Sequence, residues 1–311
     1  MNNCTISTVK EFHIIAFPSS STGYVLIFAG ILFMYLMTAI GNLIIITLVC
    51  LVPQLHTPMY FFLCNLSIAD ITYVSVTLPK LLSILITQDH KISFYGCISQ
   101  LYFFLLCGQA EIFILTCMAY DRYVAICKPL QYSMIMRKKV LIVMSAFSWL
   151  IGIGNSVVHA MVASSLSFCQ SNEIDHFFCD LKTLSMLSAS DSTNRDILTS
   201  VESIFIGILP YLLIVISYVY IISTILKIRS SQGRLKVFSS CTSHLTTVIL
   251  FYGPIIFLYM KPENDHSRSD DKLLSIIYVA VVPMLNPLVY SLRNKEVLGA
   301  TTKIKQYMKN F

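Results

Sequence analysis

Seven long apolar runs constrain the fold of this chain more than any other feature. They lie at about 24–52, 59–86, 98–126, 140–163, 198–226, 237–260 and 273–292. A bilayer core about 30 Å thick is crossed by roughly 20 helical residues, so each run is long enough to span it. The runs are continuous and do not alternate over about ten residues, which favours helices over barrel strands. The sequence therefore predicts an all-α integral membrane protein with a seven-transmembrane helix bundle.

The low charge content is typical of a chain that has lipid as its solvent. Only 12% of the 311 residues are charged, whereas soluble domains carry about 25%. The spans leave no room for a separate soluble domain, so we predict one domain over 1–311. It consists of an extracellular tail at 1–23, the bundle at 24–292 and a cytoplasmic tail at 293–311. The first 23 residues show no cleavable signal peptide.

The basic residues predict the orientation of the bundle. With the amino terminus outside, fourteen Lys and Arg residues lie at the inner ends, beside only two acids, Asp121 and Glu296. The outer segments then carry eight basic and eleven acidic residues. The positive-inside rule therefore places the amino terminus outside, and the net charge of +6 indicates topology and no nucleic-acid partner. Asn3 then lies in an outward glycosylation sequon, Asn3-Cys4-Thr5.

The third span carries a polar face that must point into the bundle. The residues on this face recur at steps of three and four: Phe104, Gly108, Glu111, Leu115, Met118 and Arg122. Glu111 and Arg122 are costly in lipid, so they turn the whole face inward. Gly108 leaves a notch there, which fits either a ligand or close helix packing.

Two carboxylates, Asp70 and Glu111, are predicted at the middle depth of the membrane. Close together in a low dielectric, they cannot both be charged unless a cation joins them. One interpretation is an ion or proton site, with Asn42 and Asn286 as polar neighbours and sodium as the ion. The other is a hydrogen-bonded network around a protonated acid.

Five motif blocks, in order along the chain, carry a family resemblance. They are Leu55–Tyr60, Met118–Cys127, Ser217-Tyr218, Lys236–Leu245 and Pro283–Glu296. Together they resemble odorant receptors, which are rhodopsin-like G-protein-coupled receptors, and in particular the tetrapod subgroup for airborne odorants. The resemblance implies a receptor and not an enzyme, in the plasma membrane of the cilia of olfactory sensory neurons. It also implies a small, mostly apolar volatile ligand and a stimulatory olfactory-type G protein that raises cyclic AMP.

A ligand site in the outer half of the bundle is the next expectation. On the sixth span, helical spacing places Tyr252, Ile255, Ile256 and Tyr259 on one face, although both tyrosines also fit a packing role. The resemblance adds residues from spans three, five and seven: Phe104, Leu105, Gly108, Gln109, Glu202, Ser203, Ile206 and Val279. Such a pocket is apolar with a few hydrogen-bonding groups.

Glu202 has three open interpretations. Its carboxylate recognises an amine or hydroxyl of the ligand, faces water near the mouth of the pocket, or pairs with Lys182 or Arg195.

The resemblance implies a G-protein coupling switch at the inner end. Its members are Asp121, Arg122, Tyr123, Tyr218 and Tyr290, which rearrange as the sixth span swings outward. Neighbouring residues do not face each other on a helix, so we do not expect Asp121 and Arg122 to pair. Anchoring at the membrane surface is the alternative role of Arg122. In related receptors, an acid matching Asp70 binds sodium.

The resemblance also implies a disulfide between Cys97 and Cys179. Odorant receptors usually have a further cysteine where this chain has Ala189, which leaves Cys169 without its usual partner; Cys4 is one candidate. A bridged Cys179 is not a free thiolate, so no metal site is predicted at His176–Asp180. Apolar residues among lysines in the cytoplasmic tail predict a short amphipathic helix after the seventh span: Ile304, Tyr307, Met308 and Phe311.

Two other function classes fit the sequence less well. A transporter of the inverted-repeat type would show internal symmetry, and none is found in the sequence. An intramembrane enzyme would need clustered catalytic groups, and His56, His159 and His244 lie far apart along the chain.

Overall fold

The computed structural model describes residues 9–17, 21–168, 172–188, 193–260 and 268–292. Side chains are described in these ranges except at 21–22, 193–196, 258–260, 268–271 and 291–292. Seven helices in the described part are long and apolar enough to cross a membrane. The predicted seven-helix fold is therefore confirmed. "Outer" and "inner" denote below the two ends of the bundle in the predicted orientation.

The seven spans extend slightly beyond the apolar runs, because their polar ends are helical too. The first four are Ser21–Leu51, Pro58–Thr87, Phe94–Cys127 and Lys138–Ser164. The fifth consists of Thr193–Glu202, a π-helical segment Ser203–Ile208, and Leu209–Leu226. The sixth is Ser231–Met260, and the seventh consists of Arg268–Ile276, a π-helical segment Ile277–Val281, and Val282–Leu292. Short helical turns lie between spans at Pro53–Leu55, Pro129–Gln131, Tyr132–Ile135 and Leu181–Leu187.

The third span lies at the centre of the bundle, in contact with spans two, four, five and six. Gly152 brings the fourth span onto it, since a Cβ atom there would lie 2.8 Å from the backbone oxygen of Leu106. Gly41 brings the first span onto the seventh in the same way, because its Cβ would lie 2.9 Å from Cγ of Pro287. Small residues thus set the two closest helix approaches, as is common in membranes.

A small sheet covers the outer end, and the sequence patterns did not predict it. Its strands are β1 (Glu11–Ile14), β2 (Lys91–Ser93) and β3 (Glu173–Ile174), in the order β2-β1-β3. β1 pairs antiparallel with β2 and parallel with β3. Phe12 of β1 is fully buried, with its ring centroid 5.1 Å from that of Phe168. The amino-terminal segment is therefore part of the folded outer cap.

The second outer loop is tied to the bundle below this sheet. A disulfide joins Cys97 to Cys179, as the resemblance implied. The backbone N–H of Cys179 donates to Oε1 of Gln100 at 2.9 Å. On the other side, Nζ of Lys272 donates to the carbonyl of Ile15 at 2.8 Å and to Oδ1 of Asp175 at 2.6 Å. The loop, the amino-terminal segment and the seventh span thus close the outer end together.

Several predictions fall outside the described residues. These concern the sequon at Asn3, a link between Cys4 and Cys169, the substitution at Ala189, and the amphipathic helix within 293–311. They stay predictions.

Candidate functional site

The outer half of the third span lies in an aromatic cluster. The ring of Phe104 stacks on Tyr73 at 5.0 Å between centroids, and lies 4.7 Å from Phe178 of the second outer loop. Tyr278 of the seventh span is 6.5 Å away. A Cβ atom at Gly108 would lie 3.6 Å from Cε2 of Tyr73, which is ordinary contact. The notch at Gly108 is thus bordered by Tyr73.

The sixth span contributes a buried tyrosine to the same half. Tyr252 is 5% exposed, its ring lies 5.0 Å from that of Tyr211, and its hydroxyl has no hydrogen-bond partner among the described residues. Ile255 is half-buried, whereas Ile256 is 36% exposed at the outside of the bundle. The prediction that Ile256 shares the inward face is therefore wrong, since the sixth span turns it toward lipid. The side chain of Tyr259 lies outside the described part.

The remaining predicted ligand residues differ in burial. Val279 is fully buried, and Leu105, Ser203 and Ile206 are half-buried. The hydroxyl of Ser203 donates to the carbonyl of Thr199 in its own helix at 2.8 Å, as hydroxyls in apolar helices commonly do.

Glu202 lies at the junction of the third, fourth and fifth spans. Its Oε1 accepts hydrogen bonds from Nε2 of Gln109 at 2.9 Å and from Nδ2 of Asn155. Its Oε2 is in direct contact with Nε2 of His159. Sequence reasoning singled out Glu202 and Gln109 and missed Asn155 and His159 as their partners. The available signal was that Asn155 and His159, four residues apart, put two polar groups on one face of an apolar helix.

The mid-membrane carboxylates lie among polar partners. Nδ2 of Asn286 donates to both carboxylate oxygens of Asp70, at 3.1 and 3.0 Å. Nδ2 of Asn42 donates to the carbonyls of Thr38 and Pro283, at 3.0 and 3.4 Å. Glu111 is 2% exposed and interacts electrostatically with Asp70. The structure thus brings the four residues predicted for an ion or proton site into one buried region.

At the inner end, Arg122 pairs with its neighbour Asp121. Its Nε and one terminal nitrogen donate to Oδ2 of Asp121, at 3.1 and 2.6 Å. The expectation that these residues do not pair was wrong. Neighbouring side chains leave the helix in different directions, but the long arginine side chain folds back far enough to reach the carboxylate. Asp121 is fully buried, so the ion pair satisfies a charge that has no access to water.

Tyr132, in the second inner loop, holds the other oxygen of that carboxylate. Its hydroxyl donates to Oδ1 of Asp121 at 2.8 Å. Burial, followed by the charge of Asp121, raises the pKa of the Tyr132 hydroxyl. The phenol therefore stays protonated and able to donate at physiological pH. The sequence did not single out Tyr132.

Tyr218 belongs to a separate hydrogen-bond chain. Its hydroxyl lies 2.7 Å from Nδ1 of His244, whose Nε2 lies 3.0 Å from the carbonyl of Leu115. A carbonyl only accepts, so Nε2 carries the proton and Tyr218 donates to Nδ1. Tyr290 is 3% exposed, and the ring of Tyr123 lies 5.9 Å from that of Tyr220. The predicted switch residues therefore lie near the inner end, but Arg122 and Tyr218 have different partners here.

Comparison with known proteins identifies the family. The sequence profile of the family described as "Olfactory receptor" matches residues 31–307. This chain belongs to the olfactory receptor family. Olfactory receptor 1E16 of Mus musculus is 45% identical over 299 residues, which cover 96% of this receptor and 95% of the mouse protein. Olfactory receptor 1G1 of Gorilla gorilla gorilla is 43% identical over 304 residues, with 98% and 97% covered.

Family membership decides several expectations at once. The receptor is a G-protein-coupled receptor and not an enzyme, and it is a multi-pass membrane protein with seven spans. Small-molecule ligands and G-protein coupling in general follow from the same membership.

The segment His176–Asp180 of this olfactory receptor has structural contacts. Nε2 of His176 lies 3.2 Å from the hydroxyl of Ser275, and Cys179 is in the disulfide. Asp180 caps the turn at Leu181–Leu187 by accepting from the N–H of Thr183 at 3.2 Å. Within the described ranges, no group of three or more His, Cys, Asp or Glu side chains is arranged to hold a metal ion.

Proposed function

We propose that this olfactory receptor binds a small, mostly apolar volatile molecule in the outer half of its bundle. Binding activates a stimulatory olfactory-type G protein, which raises cyclic AMP. The observation that carries this proposal is the inner lock formed by Arg122, Asp121 and Tyr132. A buried arginine held by a carboxylate and a loop tyrosine is an element with two stable arrangements, which is what a ligand-driven switch requires.

The outer half supplies the chemistry for such a ligand. The walls around Phe104 and Tyr252 are aromatic, and a few buried polar atoms lie among them, including the Tyr252 hydroxyl and Oε1 of Gln109. Apolar walls with a few placed polar groups are typical of small-molecule sites. The ligand residues proposed from the sequence are retained, with the exception of Ile256.

The inner residues then act in sequence. Ligand binding favours an outward movement of the sixth span, which separates His244 from Tyr218 and frees the Tyr218 hydroxyl. Arg122 leaves Asp121 and becomes part of the G-protein socket, together with Tyr123, Tyr218 and Tyr290. Each contact broken in this way is a local electrostatic change at a position that couples two spans.

A sodium ion at the mid-membrane site is part of the proposal. Oε1 of Glu111 and Oδ1 of Asn286 are buried oxygens without hydrogen-bond partners among the described residues. Oxygen atoms are the ligands of hard cations, and unpaired buried oxygens beside two carboxylates suit a small cation. Asp70, Glu111, Asn42 and Asn286 would hold the ion, which would supply the positive charge that lets both acids remain ionised.

We place the receptor in the plasma membrane of olfactory cilia, as one domain over 1–311 with its amino terminus outside and glycosylated at Asn3. The basic residues at the inner ends of the spans support this orientation. Antibody staining of an amino-terminal epitope on intact cells, with and without glycosidase treatment, tests the orientation and the glycan together. Staining only after permeabilisation would contradict the orientation.

Cyclic AMP measured against a diverse panel of volatile compounds tests the function. The receptor is expressed with the stimulatory olfactory-type G protein and, in a parallel culture, with an inhibitory one. We expect a ligand-dependent rise in the first culture only, and its loss in Arg122→Ala. Arg137→Ala, in which an exposed arginine is removed, is the matched control and should respond like the wild type. Silence of a wild-type receptor that is displayed at the cell surface would contradict the proposal.

A further inference from the structure

Three donors from two other spans hold the Glu202 carboxylate. Gln109 and Asn155 present amide nitrogens to Oε1, and His159 presents Nε2 to Oε2. Amide nitrogens donate and do not accept, so their partner must be an acceptor. An ionised carboxylate accepts at both oxygens, whereas a neutral acid would have to donate from one of them. The junction is therefore built for a negatively charged group.

Two atoms of this cluster have no partner of their own in the described part of the chain. They are Oε1 of Gln109 and Nδ1 of His159. Both residues are more than nine-tenths buried, at 5% and 2% exposed. The orientation of the Gln109 amide follows from its partner, because the nitrogen must face the carboxylate. Its oxygen is thus an unused acceptor beside the charge, and a buried acceptor of this kind calls for a donor from outside the chain.

The cluster faces the proposed ligand pocket. Ile204 and Phe205, which follow Glu202, are 53% and 61% exposed toward lipid, whereas the Glu202 side chain is 16% exposed and turned to the third span. Gln109 directly follows Gly108 on that span. The polar cluster therefore forms part of the wall of the outer half.

We propose that Glu202, held by Gln109, Asn155 and His159, selects ligands whose head group donates a hydrogen bond, an alcohol or a protonated amine. This inference rests on the proposed function and names its ligand class. The carboxylate and the free amide oxygen are both acceptors, so an ether, ester or aldehyde leaves Gln109 unpaired. A carboxylic acid, ionised at neutral pH, brings a second negative charge to the site and is repelled.

A panel matched in carbon skeleton tests the head group. For each of several linear, branched and aromatic skeletons, the alcohol, amine, methyl ether, aldehyde and carboxylic acid are compared in cells that express the full-length receptor. We expect the alcohol or the amine to be at least about tenfold more potent than the other three, as befits a hydrogen bond to a charged group. The alcohol and amine arms show which of the two donors the site prefers.

Variants assign the preference to the cluster. Glu202→Gln should lower the potency of the donor ligands at least about tenfold and leave the ethers unchanged. Glu202→Asp keeps the charge and should keep the order of head groups. Glu173→Gln, the same change at an exposed position of β3, is the control and should match the wild type. If Glu202→Gln does not reach the surface, Gln109→Met removes the free acceptor in its place and should narrow the preference.

Binding is also measured without signalling, as the rise in Tm of the purified receptor with each compound. Stabilisation by donor ligands without cyclic AMP would overturn the G-protein part of the proposed function and support the ligand class. Equal or greater potency of ethers, aldehydes or acids would overturn the ligand class and leave the receptor function standing. An unchanged order of head groups in both Glu202→Gln and Gln109→Met would overturn it as well.

Discussion

Tyr132 donates a 2.8 Å hydrogen bond to the same Asp121 carboxylate that pairs with Arg122. The second inner loop therefore stabilises the buried ion pair of the third span. Because burial raises the pKa of the Tyr132 hydroxyl, this hydrogen bond persists across the physiological pH range.

Removing this hydroxyl should raise ligand-independent signalling. Tyr132→Phe deletes a hydrogen bond worth about 1 kcal/mol or more, which shifts the equilibrium between resting and active forms about fivefold or more. Basal cyclic AMP, normalised to the amount of receptor at the surface, is the measurement. Tyr95→Phe at a tyrosine that is 81% exposed is the control. Basal signalling that is equal in both variants would show that the loop does not restrain Arg122.

The close contact of the third and fourth spans predicts a contrast between two glycines. A methyl group at Gly152 would lie 2.8 Å from the Leu106 backbone oxygen, whereas one at Gly154 meets no atom within 4 Å. Gly152→Ala must separate the spans and should cost about 1–3 kcal/mol, as overpacking does. Gly154→Ala should be close to neutral. The Tm of each purified variant checks this, and equal Tm values would refute the close contact.

Two ion pairs of the outer cap should differ in strength. Lys272 is 6% exposed and bridges Asp175 and the carbonyl of Ile15, while Lys91 and Glu11 lie 3.8 Å apart with side chains more than half exposed. Lys272→Met should cost about 1–3 kcal/mol, because buried acceptors lose their donor. Lys91→Met should cost about 0–1 kcal/mol, as exposed pairs do. Thermal unfolding measures both; a larger loss for Lys91→Met would contradict this ranking.

The proposed cation site predicts that sodium affects ligand potency. Replacing sodium with N-methylglucamine should raise the potency of an activating ligand at least about fivefold, since the ion stabilises the resting packing around Asp70. Asp70→Asn and Glu111→Gln should remove this dependence, and the exposed Asp89→Asn should retain it. Concentration–response curves in the two salts are the measurement. Potency that is independent of sodium in the wild type would exclude the ion and leave a protonated network.

The spans could be predicted from sequence because apolar runs report the membrane directly. The second run, at about 59–86, nearly coincides with Pro58–Thr87, but the sixth helix begins at Ser231, before its run at about 237. The early start is a polar, basic extension beyond the lipid, where hydropathy carries no signal. The π-helical segment Ser203–Ile208 was likewise invisible, because the composition of an apolar run does not distinguish i+4 from i+5 hydrogen bonding.

Side-chain partners were predictable only where a motif carried them. The pairing of Cys97 with Cys179 followed from the family resemblance. The contacts of Glu202 with Asn155 and His159 depend on how the fourth and fifth spans rotate about their axes, which is a property of tertiary packing. The pairing of Asp121 with Arg122 was missed because the rule for helix faces describes Cβ directions and not the reach of a long side chain.

The position of β1 in the middle of the outer sheet bears on how the receptor matures during synthesis. A ribosome makes β1 first, but β3, which pairs with one of its edges, follows about 160 residues later. Until the fourth span has been threaded into the membrane and β3 exported, that edge is open in the lumen to other polypeptides. Lys272 arrives later still and bonds the carbonyl of Ile15. The oldest segment of the nascent chain is thus among the last to be completed, and a chaperone that binds free strand edges would recognise unfinished receptor there.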